Sequence, residues 1–212
     1  MSVIPARTSI LARGLVAIAA LAAACAARAD YLWLQRAGDG AQAYAGELAR
    51  PSAALPALQA PRAYLADGKD LALQAKADHV EIPAAPQAQD LRLTASRVSD
   101  QGVLTYYQAR WGRADTKAVN DLELVPTESG GNTFKLMWKG TAVSATQVNV
   151  ETSAGWRRTL APAKDGTVRL DTPFPGLYVL EVTARVNGSA TVDGKKYDDV
   201  RHTATLSFEV AH

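Results

Sequence analysis

Short runs of alternating polar and apolar residues, bounded by Gly, Pro and Asp, constrain this chain more than any other feature. Asp90-Leu91-Arg92-Leu93-Thr94-Ala95 alternates, as do Phe134 to Gly140 and Gln147 to Glu151. A period of two is the signature of a strand with one face buried. Val103 to Trp111 and Leu177 to Thr183 are rich in residues that suit a pleated surface. Gly38-Asp39-Gly40, Asp67-Gly68-Lys69-Asp70, Ser99-Asp100-Gln101-Gly102 and Asp165-Gly166 supply the turns. Such strands, spaced by roughly 8–12 residues, predict an all-β chain of sandwich or barrel type.

The first 29 residues read differently. Arg7 and Arg13 precede the apolar run Leu15 to Cys25, and Ala27-Arg28-Ala29 offers small residues before Asp30. This is the three-part pattern of a secretory signal. The run is too short to span a bilayer, which takes roughly 20 apolar residues. The expectation is a periplasmic protein that begins at Asp30. Leu21 stands one place too early for the usual lipobox, which favours soluble export over lipidation at Cys25. Cys25 is the only cysteine, so the exported chain would have no disulfide and no thiolate metal site. Without Arg7, Arg13 and Arg28 the 23 basic residues become 20, against 21 acidic ones, a net charge of −1. That balance gives no footing for nucleic acid, and no second apolar run is long enough for a membrane span.

The exported part divides at the polar stretch Gly112 to Asn120. The reading is a signal peptide over 1–29, an N-terminal β module over 30–117 and a C-terminal immunoglobulin-like sandwich over 118–212. Between Leu48 and Leu65 the prolines at 51, 56 and 61 argue against one long helix, and a short helix or an ordered loop is expected. Strands are expected at 62–66 and 70–76, and a loop or small hairpin around Asn187 to Val200.

Catalysis finds little support. There is no Gly-x-Ser-x-Gly elbow, and Gly130-Gly131 lacks the Lys-Ser or Lys-Thr of a phosphate-binding loop. The chain is read as non-enzymatic. A metal site has candidates: His79 and Glu81 share a strand face, His202 follows Asp198 and Asp199, and the amine of Asp30 would be free after cleavage. Imidazole suits nickel, copper and zinc. Against this, a solitary strand histidine is more often a satisfied or surface residue. Trp33, Trp111, Trp138 and Trp156 could line a carbohydrate groove, but aromatics in strands usually fill a core. Trp156, flanked by Gly155 and Arg157-Arg158, is the best candidate for exposure.

Asp30-Tyr31-Leu32-Trp33-Leu34 followed by Tyr44-Ala45-Gly46-Glu47 resembles the start of a family of exported bacterial proteins with a domain of unknown function, often described as the periplasmic component of nickel or cobalt uptake. Leu122 to Pro126, Lys139 to Val148, Asp165 to Val168, Pro175 to Glu181 and Arg201 to Phe208 resemble its immunoglobulin-like second half. The resemblance implies a binding protein for a nickel or cobalt ion, or its chelate, with a transporter or envelope protein as partner. Asp30, His79 and His202 are the ligands expected here. Where that family places a leading histidine, this chain has Asp30 and Tyr31. The alternative is a structural or interaction module of the envelope with no small ligand.

Overall fold

The computed structural model describes residues 30–185 and 189–211; the expected signal segment, with Cys25, and His212 lie outside them. The described residues contain no helix, and the chain is all-β, as its alternation predicts.

The strands, in chain order, are β1 (Tyr31–Ala37), β2 (Gly40–Glu47), β3 (Arg50–Pro51), β4 (Gln59–Leu65), β5 (Asp70–Leu71), β6 (Gln74–Ala75), β7 (His79–Ile82), β8 (Leu91–Val98) and β9 (Leu104–Trp111). The second half adds β10 (Leu122–Pro126), β11 (Thr133–Trp138), β12 (Thr141–Val143), β13 (Val148–Thr152), β14 (Arg157–Leu160), β15 (Thr167–Arg169), β16 (Gly176–Arg185), β17 (Ala190–Val192), β18 (Lys195–Tyr197) and β19 (Val200–Val210). The hairpin β17–β18 fills the place where a loop or small hairpin is expected.

The backbone of the architecture is one long sheet in the order β14-β13-β16-β19-β9-β8-β4-β5. It is antiparallel except at its centre, where β9 and β19 run parallel, Leu104–Trp111 beside Val200–Ser207. The boundary expected near residue 117 falls between β9 and β10, yet this sheet runs through both halves. A first small sheet, β1-β2-β7-β6 with β3 on β2, covers one part of it, and a second, β10-β11-β12 with β15 on β11, covers another.

The two small sheets lie on opposite faces. On the N-terminal strands, Leu91, Leu93, Ala95, Tyr107 and Ala109 join Leu32, Leu34, Val80 and Ile82 in one core. On the C-terminal strands, Tyr178, Leu180, Val182, Ala204, Leu206 and Phe208 join Leu122, Leu124, Phe134 and Leu136 in another. The register sets Ala109 beside Thr205, and Arg110 beside Leu206. Adjacent positions in a register share a face and successive residues alternate. The first core therefore sits on the Thr205 face, and the second on the Leu206 face. The chain is two sandwiches staggered along a shared sheet. A small third cluster, Tyr31 and Trp33 on Leu177 and Val179, marks where the first sheet meets the C-terminal strands. In the C-terminal sandwich the Tyr178 hydroxyl donates to the Phe174 carbonyl (2.8 Å) and accepts from its N–H (3.0 Å). That back-bonded tyrosine recurs at the corner of immunoglobulin-type sandwiches.

Two expectations are refined by the structure. Of the helix or ordered loop expected between Leu48 and Leu65, no helix forms and irregular chain spans 52–58. Pro51 ends β3, and β4 carries a register shift between Gln59 and Arg62, where Pro61 has no N–H for the ladder. Residues 70–76 are not one strand. β5 pairs with β4 in the long sheet and β6 with β7 in the first small sheet. Leu71 and Leu73 both pack on the core between these layers, so the chain crosses from one to the other there.

The stagger leaves one problem for the second face of β8 and β9, where Arg92 and Arg110 are fully buried. Their charges are met by the connection into β10. Glu123 Oε1 accepts from Arg92 Nε (3.1 Å) and Arg110 Nη1 (2.9 Å), while its Oε2 accepts from the backbone N–H groups of Val119 (2.7 Å) and Asn120 (2.8 Å). Asp90 accepts from Arg110 Nη2 and from the N–H groups of Ala114 (3.1 Å) and Asp115 (2.9 Å). Arg92 Nη1 donates to Asp115 Oδ2 at 3.0 Å. Gly112, at φ +99°, lets the chain turn tightly here; a Cβ would sit 2.0 Å from Asp90 Oδ1.

Removing one partner from a buried charge network strands the others and costs about 3–5 kcal/mol. Arg110→Met is therefore expected to lower the unfolding free energy by about that amount in urea titration. Arg169→Met, whose ion pair with Asp171 is exposed on both sides, serves as control and should leave the midpoint in place.

Candidate functional site

The stagger also opens an inside corner. Past Val179 the first small sheet leaves β16, although on β19 it still reaches Thr205, whose hydroxyl donates to the Leu32 carbonyl. This face of β16 turns polar: Glu181, Thr183 and Arg185 share it by alternation. The β13–β16 ladder ends with Asn149 opposite Glu181, whereas the β16–β19 ladder continues to Arg185 opposite Arg201. From Val182 onward β16 is thus an edge towards β13. A cavity of about 1300 Å³ fills this corner. Its lining comes from both faces of the sheet, including Glu151, Glu181 and Arg185 on one and Trp138, Val182 and His202 on the other. The unpaired end of β16 explains how one cavity reaches both.

One end of the corner is acidic. Glu181 Oε2 accepts from Asn149 Nδ2 (2.8 Å) and Oε1 from the Thr183 hydroxyl (2.6 Å). Both donors are neutral, and Glu181 is only 8% exposed. No ion pair joins it to a cationic side chain among the described residues. Glu151 accepts from the Tyr31 hydroxyl (3.0 Å) and pairs with Arg157 (3.1 Å), which also reaches Glu47 at 3.5 Å. The Tyr31 hydroxyl accepts from the N–H of Leu48 (2.8 Å). Burial, above all, raises its pKa well beyond the ordinary tyrosine value, and the nearby Glu151 adds to this. It stays a donor at any physiological pH.

The other end is basic. Arg185 and Arg201 both place Nε and Nη2 on Asp199, at 2.9 and 2.7 Å and at 3.2 and 2.7 Å. The Arg201 hydrogen bond, with help from Arg185, holds the Asp199 carboxyl below its usual range. Two guanidiniums share one carboxylate, leaving a net positive charge. Between the poles lie the hydroxyls of Thr183 and Thr203, 2.9 Å apart.

The residues singled out in the sequence do not gather here as a metal site. Asp30 is exposed ahead of β1. His79 lies on β7 in the first small sheet, with Asp78 2.7 Å from its Nδ1 and its ring against Tyr44. His202 is buried on β19, stacked on Tyr106 and edge-on to Trp138. Its Nδ1 accepts from the Gln108 amide at 3.3 Å, because the Gln108 carbonyl already accepts from the Leu122 N–H. Among the described residues no group of three or more His, Cys, Asp or Glu is placed to hold a metal ion. The donor set of Asp30, His79 and His202 does not fit one nickel or cobalt ion. Trp33 is buried, and Trp111, Trp138 and Trp156 are half-buried against the cores, with Trp138 also lining the corner. Trp156 meets Phe174 edge-on.

Glu181 and Arg185 escape a reading of the sequence. A polar residue at alternate strand positions reads as solvent-facing, and only Glu181's place inside the apolar run from Leu177 to Val182 hints otherwise. Compared with known proteins, the chain matches no protein-family model and no curated protein sequence.

Burial lowers the His202 pKa below its ordinary value; Asp121 opposes this and Lys139 adds to it. The unfolded chain then takes up this proton at higher pH than the folded one. The His202 contribution is whole above about pH 6.5 and is lost as pH falls from there towards the depressed folded value. Urea midpoints measured between pH 7.5 and 5 should fall less steeply in His202→Gln than in the parent protein.

Proposed function

We propose that this chain is an exported, non-enzymatic binding protein of the cell envelope, and that its ligand is a small organic molecule carrying a positive charge. Glu181 carries this reading. Its carboxylate accepts only from an amide and a hydroxyl, and among the described residues no side chain supplies it a cation, whose charge-assisted hydrogen bond would be the stronger kind. An alkylammonium in the corner would supply one, and the neighbouring cavity has room for the rest of such a molecule. The signal pattern of residues 1–29 supports export, and the strand order with its Tyr178 corner supports an immunoglobulin-like C-terminal half.

The family resemblance suggests nickel or cobalt, but the donor set does not come together, so an organic cation is the better reading. The scaffold alternative draws on the exposed Phe174 and Val119, and isolated exposed apolar residues are ordinary.

Calorimetry on the purified protein tests this, with cadaverine, lysine and glycinamide as probes and nickel and cobalt chlorides alongside. The expected result is saturable one-to-one binding of amines that Glu181→Gln weakens at least tenfold. Tight metal binding that His202→Ala abolishes, with no response to amines, would overturn the reading in favour of metal.

A further inference from the structure

The corner is two-ended, and its second end says what kind of cation enters. Glu181 and Arg185 are four residues apart on one face of β16, about 13 Å at the rise of a strand. Glu181 carries a negative charge with neutral partners. Arg185 belongs to a set of two guanidiniums on one carboxylate, with Arg185 itself 65% exposed. A ligand that satisfies both must be positive at one end and negative about 13 Å away. Between the ends it passes the Thr183 hydroxyl, which lines the cavity and, having donated its proton to Glu181, can accept from an amide N–H. It also runs along the edge of β16 from Val182 to Arg185, where the β13 ladder has stopped. An extended strand end offers backbone N–H and C=O groups to an incoming extended chain.

We infer that the corner binds a short unblocked peptide of three or four residues, extended along β16, with its amino terminus at Glu181 and its carboxylate at Arg185. This rests on the proposed role of the corner as a ligand site and names the ligand class. An extended chain spans about 3.3–3.6 Å per residue, so three or four residues cover the distance between the poles. A free amino acid is too short to touch both. A long peptide would have to bury its own charged end or carry it past the arginines. Charge at both termini sets length, and the strand edge fixes direction without demanding particular side chains. The site would therefore favour length over sequence.

Calorimetry with tri- and tetra-alanine, their N-acetylated forms and their C-amidated forms tests the assignment, with cadaverine as the amine reference. The expected result is that the free peptides bind, and that blocking either end weakens binding at least tenfold. Glu181→Gln should erase the difference between free and acetylated peptide while keeping that between free and amidated. Arg185→Gln should do the reverse. A circular-dichroism melt of each variant checks that it is folded. If cadaverine binds and the peptides do not, or if blocked and free peptides bind alike, the peptide assignment falls while the cation site stands. If neither peptides nor amines bind the folded protein, both fall together.

Discussion

Everything in this molecule depends on the parallel pairing of β9 with β19. β9 is the last strand of the first half and β19 the last of the second, and their contact fuses two half-sheets into one. Once fused, the sheet has more area than either small sheet can cover. Each small sheet takes a different face, and the faces left over must be dealt with some other way. On β8 and β9 the uncovered face is closed by charge. Arg92 and Arg110 are neutralised by Glu123 and Asp90, and those carboxylates in turn hold the backbone from Ala114 to Asn120. The connection between the halves is thereby ordered by the groups that make the shared sheet tolerable. On β13 and β16 the uncovered face stays open, and that opening is the candidate site.

Much of the fold is legible in the sequence. Leu91, Leu93 and Ala95 alternate with Arg92 and Thr94, and the apolar set does point into a core. The Gly-Asp turns fall between paired strands, as at Gly38-Asp39-Gly40. What alternation cannot convey is what lies over the polar side of a strand. Arg92 and Arg110 look like solvent-facing residues and are buried, because β10 and its approach cover them. The break of residues 70–76 between two sheets is equally hidden. Leu71 and Leu73 have the same spacing whether the chain stays in one sheet or crosses to another.

The polar side of β16 is hidden from alternation for the same reason. Histidines attract attention because their chemistry is distinctive, yet His202 is committed to Gln108 and two aromatic rings. Glu181 is chemically ordinary, and its importance comes from where the β13 ladder ends. That is a property of register between strands far apart in the chain. A peptide-length groove with opposite charges at its ends follows from the stagger of the two sandwiches.

The shared sheet is the central claim, and urea-dependent hydrogen exchange read by mass spectrometry tests it most directly. If β9 and β19 form one continuous sheet, peptides covering Leu91–Trp111 and Val200–Val210 should lose protection at the same urea concentration, in one cooperative step. If one half exchanges fully while the other keeps its protection, the two sandwiches are independent domains and the account is wrong.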